Sequence, residues 1–260
     1  MKKIKDLLDG FQTFHKMYYN RNTSLYEGEN KSVIQDLVKD GQKPRFAVVA
    51  CSDSRVDPAT VLQTGPGDIF VVRNVAALVP PYEEGEREEG GREEGGRYYS
   101  AIAAALQFAV TSLSVDHIIV IGHAHCGGVK AMVGKHIKAM VDKQKGGEEE
   151  GGEEEGGKFI TAWILLLRDA CKRAWAADPK LDEDALERAS ERQSVRLSLE
   201  NLTTFPFIKA AVGDGRLSLH GWYFDISEGT LDIWSEVTPE VTPKRKFEWR
   251  PAVIEPSTPH

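Results

Sequence analysis

Hydrophobic positions along this chain fall into two kinds of run. In the first 40 residues they recur at helical spacing: Ile4, Leu7, Leu8, Phe11, Phe14 and Met17, then Val33, Ile34, Leu37 and Val38, with Gly41 as a stop. This predicts two amphipathic helices. Three short continuous apolar runs follow: Phe46-Ala-Val-Val-Ala50 ending at Cys51, Ile69-Phe-Val-Val72 after the turn Gly65-Pro-Gly-Asp68, and His117-Ile-Ile-Val-Ile121 ending in Gly122. Runs this short, without alternation, read as strands buried on both faces of a parallel sheet. The Ala- and Leu-rich stretch from Tyr98 to Leu113 predicts a helix between the second and third. Further helices are predicted from a start near Cys126, from Phe159 to Ala177 and from Asp182 through Leu199. Leu217 to Ile226 and Thr230 to Trp234, joined by Ser227-Glu-Gly, predict a hairpin.

Strands alternating with helices imply an α/β fold: a central, mostly parallel sheet flanked by helices, with sites at the carboxyl ends of the strands. The ends of interest are Cys51 and Gly122-His123. The chain divides into an N-terminal helical arm at 1–40, an α/β domain at 41–237 and a proline-rich, aperiodic stretch at 238–260 that reads as an extended tail. Two Glu/Gly segments, 83–97 and 146–157, cannot pack a core and read as solvated surface loops.

Charge matters mainly through those segments. The 260 residues carry a formal −7, from 33 basic and 40 acidic side chains. The two Glu/Gly segments account for −10 and leave +3 on the remainder. Net charge therefore gives no support to nucleic-acid binding. Three cysteines form no closed disulfide framework in so long a chain and suggest a reducing compartment. The amino terminus lacks the apolar core of a secretory signal, and no apolar stretch, Trp163 to Leu167 among them, is long enough to span a membrane. A cytoplasmic location with no membrane partner is the expectation.

The chemistry-bearing set is Cys51, Asp53, Arg55, His123 and Cys126. Two cysteines and a histidine at neighbouring strand ends offer three zinc ligands of a soft N/S sphere, and three ligands leave a fourth position open, as in catalytic sites. Asp53 is near enough to take that position or to accept a hydrogen bond from what occupies it, and Arg55 has the fork geometry to fix the carboxylate. The glycines of Gly122-His-Ala-His-Cys-Gly-Gly128 permit close backbone approach, and a helix starting near Cys126 would aim its amides at an anion. Other readings compete. The cysteines could be buried packing residues, or His125 could close a structural zinc site; the five-residue constellation argues against both. His125 reads as an exposed histidine rather than a proton shuttle, His117 and His220 as structural, and Cys171 as packing.

The segments Ala50-Cys-Ser-Asp-Ser-Arg-Val56, Val71-Val-Arg-Asn-Val75 and Ile121-Gly-His-Ala-His-Cys-Gly-Gly128 resemble the signature blocks of the β-class carbonic anhydrases. The resemblance continues through Arg196 to Leu202 and Leu219 to Asp225. It implies zinc-dependent, reversible hydration of carbon dioxide to bicarbonate and a proton, with one zinc per chain on Cys51, His123 and Cys126, and Asp53 and Arg55 orienting a zinc-bound hydroxide. It further implies substrate contacts from Gln42, Phe70, Val75, Phe108 and the Gly127 amide. Phe108 stands where a tyrosine is common, and Val48 stands where some members carry a tryptophan tied to a bicarbonate-switched form, so an open site with Asp53 on Arg55 is implied. A homodimer or higher even oligomer follows from the same likeness, the arm embracing a second subunit and pocket residues coming from both chains. The segment 83–97 is longer than the family's usual connection. A related zinc hydrolase on this scaffold, such as one acting on carbon disulfide, and a non-catalytic zinc-binding scaffold are the alternatives.

Overall fold

The computed structural model describes residues 2–19, 33–82, 100–144, 157–237 and 246–252. Of the two Glu/Gly segments, 83–97 lies outside these residues and Gly157 alone is described in 146–157. A six-stranded sheet organises the chain. Its strands are β1 (Phe46–Cys51), β2 (Ile69–Asn74), β3 (His117–His123), β4 (Ser218–Asp225), β5 (Thr230–Val237) and β6 (Lys246–Pro251), in the spatial order β2-β1-β3-β4-β5-β6. The first four in that order are parallel, and β4-β5-β6 are antiparallel. The chain steps from β1 outward to β2 and then returns to lay β3 on the other side of β1. That reversal opens a crevice at the carboxyl ends of β1 and β3, where open α/β sheets place ligands.

The apolar runs of β1 and β3 become buried strands because both faces of the sheet are covered there, whereas β2, expected to be buried too, lies at the sheet edge and is only half-buried. Ala47, Val49, Ile118 and Val120 point into one core with Leu106, Val195, Leu202 and Ile208, contributed by α4 (Ser100–Gln107), α8 (Glu183–Leu202) and α9 (Pro206–Gly213). The alternate residues Val48, Ala50, Ile119 and Ile121 meet Leu62, Ile69, Trp222 and Phe224 on the other face. A third core joins Cys51 and Cys126 to Val129, Leu167, Cys171 and Leu186, packing α5 (Gly127–Gln144), α6 (Lys158–Ile164), α7 (Arg168–Ala177) and α8 around the crevice. Cys171 is fully buried there, and burial pushes its thiol up to about 11.

Local signals set the helix starts. Asp57 caps α3 (Pro58–Val61) through the Thr60 amide, with Pro58 in the first turn, and Asp182 caps α8 through the Ala185 amide. The predicted helix ending at Leu113 is regular only to Gln107; its last turn, Phe108–Ser112, widens to a π turn closed by Leu113 N–H on Phe108 O. The stretch Phe159 to Ala177 is likewise two helices, α6 and α7, separated by a tight turn at Leu165–Leu167. In the arm, α1 (Ile4–Tyr19) and α2 (Val33–Asp40) both form, yet among the described residues α1 has no fully buried side chain, and Ile4, Leu7, Leu8 and Phe11 are exposed.

The stretch expected as a tail contains β6. Trp249 of that strand packs on Trp234 at 5.4 Å and on Tyr223 at 6.1 Å between ring centres. Proline-rich sequence hides it, because Pro251 sits at the end of an edge strand where no ladder hydrogen bond is lost. Among the described residues no helix is long and apolar enough to cross a membrane.

Candidate metal centre

β1 and β3 are adjacent and parallel, so their last residues, Cys51 and His123, emerge side by side at the crevice. The Gly122–Gly128 loop then turns Cys126 back towards them. The ligand atoms of Cys51, His123 and Cys126 all lie within 4.8 Å of one another, and all three residues are buried. Gly122 is required on packing grounds, since a Cβ there would lie 2.5 Å from Val195 Cγ2 on α8. His125 carries the turn at φ 58°.

The histidine is set for a metal. His123 Nδ1 lies 2.8 Å from Ala124 O, a contact that makes Nδ1 the protonated nitrogen and leaves Nε2 as a lone-pair donor. Nε2 is buried without a hydrogen-bond partner. A buried polar atom left this way is costly unless a ligand satisfies it. The sulfurs are prepared too. Cys51 Sγ accepts the N–H groups of Asp53 at 3.4 Å and Ala76 at 3.3 Å, and its thiol is pulled down to about 4, chiefly by a hydrogen bond from the Cys126 thiol. That same contact, with burial, pushes Cys126 above the ordinary thiol range. Two thiols and an imidazole suit a borderline-soft dication such as zinc.

Asp53 stands beside this group but is not one of its ligands. Arg55 grips it in a fork, Nε to Oδ1 at 2.9 Å and Nη2 to Oδ2 at 2.6 Å, and the Arg55 backbone N–H adds a third contact at 2.9 Å. The arginine holds the carboxyl well below the usual carboxylate range. Arg55 Nη2 also donates to His125 O at 3.0 Å, tying the β1 loop to the β3 loop.

Two residues that sequence reading passed over brace these loops. Arg73 donates to Cys51 O, to Asp53 O and to Asp57 Oδ2, all within 2.9 Å, and so fixes the backbone on both sides of the first ligand. Glu191, buried on α8, accepts the Cys126 N–H at 3.0 Å. The VRN segment signalled Arg73 weakly; a glutamate on a charged helix gave no signal for Glu191.

The remaining residues divide by location. Val75 is half-buried against the Cys51–Cys126 core, and Gly127 opens α5. Gln42 is exposed before the amino end of β1, and Phe70 and Phe108 pair with each other at 6.0 Å, Phe70 lying beside Ala47 in the sheet register. Within one chain these three are thus remote from the carboxyl end that carries Cys51. His125 is exposed with Nε2 2.9 Å from Ser227 Oγ, and His117 bonds His220 at 3.1 Å, both as the sequence suggested.

Comparison with known proteins agrees with this geometry. The profile of the family described as carbonic anhydrase matches residues 46–231. The chain is similar to beta carbonic anhydrase 5, chloroplastic, of Arabidopsis thaliana, with 35% identity over 88% of this chain and 64% of that protein's length. It is 32% identical to beta carbonic anhydrase 3 of the same plant, over 89% of this chain and 76% of the relative. Among solved structures, the beta-carbonic anhydrase CcaA superposes with a TM-score of 0.68 at 27% identity, covering 89% of this chain and 95% of that one. A tetrameric beta-carbonic anhydrase from Sordaria macrospora shares the fold, with a TM-score of 0.65 at 24% identity over 88% and 95% of the two chains.

Proposed function

Because this chain belongs to the β-carbonic anhydrase family, we propose that it catalyses the reversible hydration of carbon dioxide to bicarbonate and a proton, with zinc held by Cys51, His123 and Cys126. The observation that carries the reading is the convergence of a His123 ring nitrogen and two sulfurs within 4.8 Å, with His123 Nε2 buried and unpartnered, next to a carboxylate that Arg55 keeps for itself. Zinc, when bound, supplies the Lewis acidity that makes a hydroxide nucleophile available near neutral pH.

The protein's own groups do the rest. Asp53, ionised and hydrogen-bonded to Arg55, can only accept hydrogen bonds, so beside a bound zinc it would accept the proton of an oxygen nucleophile and thereby orient it. Val75 supplies an apolar wall suited to a neutral substrate. The amino end of α5 and the Arg55 guanidinium favour the anionic product. Gln42, Phe70 and Phe108, remote from Cys51 in one chain, complete the pocket from a second copy in a homodimer or higher even oligomer. The exposed apolar stripe of α1 supports that assembly, as does the tetrameric Sordaria relative.

The test is stopped-flow hydration of carbon dioxide, followed by a pH indicator, on the zinc-loaded chain and on Asp53→Ala. Activity that falls at least tenfold in the variant is expected. A fully zinc-loaded parent with no activity rejects the proposal.

A further inference from the structure

The loop after β2 adopts a conformation its sequence does not favour. Ala76 and Ala77 have φ of 67° and 53°, in the left-handed region where a Cβ is penalised and glycine is the usual occupant. Two such residues in succession persist only where their surroundings impose them.

Here the surroundings do. The Asn74 side chain accepts the Leu78 N–H at 2.8 Å and donates to the Leu78 carbonyl at 2.9 Å, closing the loop with one amide. Trp163 on α6 donates its indole N–H to Val75 O at 2.8 Å. From α8, Ser198 Oγ accepts the Val79 N–H at 3.1 Å, and Asn201 donates to Val79 O at 2.8 Å. Gly128 admits α5 against the loop: a Cβ there would lie 2.9 Å from Val75 Cγ1 and 3.2 Å from the Ala76 Cβ. What the distorted backbone achieves is one contact, the Ala76 N–H on Cys51 Sγ at 3.3 Å.

We propose that Asn74 and Trp163 are positioning residues for the Cys51 sulfur, locking residues 74–78 so that the Ala76 amide sits on the thiolate and sets how much charge it gives to a bound cation. This rests on the reading that Cys51, His123 and Cys126 hold a metal. An N–H donor on a metal-bound thiolate withdraws electron density and fixes the direction of the remaining lone pairs, so its loss changes the metal's electronic environment as well as its retention.

Cobalt(II) in place of zinc makes the sulfur visible through its sulfur-to-metal charge-transfer absorption. In Asn74→Ala and Trp163→Phe that band should move to lower energy, and zinc should pass to a competing chelator roughly tenfold faster. Ala76→Gly is the control: it keeps the N–H and removes the Cβ penalty, so the band should stay and the melting temperature should not fall. If both variants keep the parental band and release rate and lose only thermal stability, the loop is structural and the proposal fails. Should Asn74→Ala not fold, Trp163→Phe decides, because it deletes one hydrogen bond from a half-buried side chain. A parent chain that takes up cobalt without any thiolate band would overturn the metal reading itself, an outcome distinct from a parent band that the variants leave unmoved.

Discussion

Glu191 stands directly behind Cys126. One carboxylate oxygen accepts the Cys126 backbone N–H at 3.0 Å and Arg188 Nη2 at 2.7 Å, and the other accepts the Tyr223 hydroxyl at 2.8 Å. Glu191→Ala would leave all three donors without that partner in a buried place, a change that costs about 3–5 kcal/mol when a buried ionic partner is removed. Glu191→Gln retains an acceptor for Cys126 and should lose roughly half as much. Urea unfolding of the two variants checks this; equal destabilisation would mean that the contact to Cys126 contributes nothing.

The Arg55–Asp53 pair predicts a pH dependence. Because Arg55 depresses the folded-state pKa of Asp53, the pair's stabilisation is present above the unfolded aspartate value of about 3.9 and is lost as pH falls through the folded value. The stability difference between the parent and Arg55→Met should therefore be constant from neutral pH to about 5 and shrink below about 4. Chemical unfolding midpoints at a series of pH values measure it. Arg55 is half exposed, so the difference should also shrink in strong salt.

Removing the metal should cost stability. Two thiols and an unpartnered imidazole nitrogen stay buried together when nothing is bound. A ligand present at a thousand times its dissociation constant stabilises a fold by about 4 kcal/mol, or about 10 °C in a domain of this size. A thermal scan with a strong chelator should show a fall of that order, restored by zinc and not by magnesium, which prefers oxygen ligands.

The arm should govern assembly and leave the subunit fold alone. Ile4, Leu7, Leu8 and Phe11 are 59–76% exposed, so Leu8→Glu with Phe11→Glu removes no intrachain core. Light scattering should find a smaller particle, while circular dichroism and the melting of the isolated subunit change little. An unchanged oligomer would show that α1 is not the contact.

Much of this molecule was legible in one dimension. β1 and β3 announced themselves because a strand covered on both faces needs a continuous apolar run; the run for β1 ended where the strand ends, while β2 and β3 continue past their runs to Asn74 and His123. Cys51, Asp53, Arg55, His123 and Cys126 were legible because ligand chemistry restricts residue type, and short spacing carried the pairs. β6 was not: its place depends on the open edge of β5 and on where Trp249 can pack, which no local pattern encodes. Gln42, Phe70 and Phe108 were readable as pocket residues only through family likeness, and one chain holds them away from Cys51.

Sequence alone therefore determined the parts whose causes are local: strand runs, most helical stretches, and the identity of three candidate ligands with their neighbouring carboxylate and guanidinium. Tertiary structure alone decided that the ligands meet, because the chain reverses between β1 and β3 and brings two distant strand ends together. It also decided what braces them. Arg73, Glu191 and Trp163 act on backbone groups of the site from 22, 65 and 88 residues away, and Asn74 closes its own loop onto Leu78. A hydrogen bond to a backbone amide or carbonyl places no demand on the type of the residue that owns it, so it leaves no motif to read.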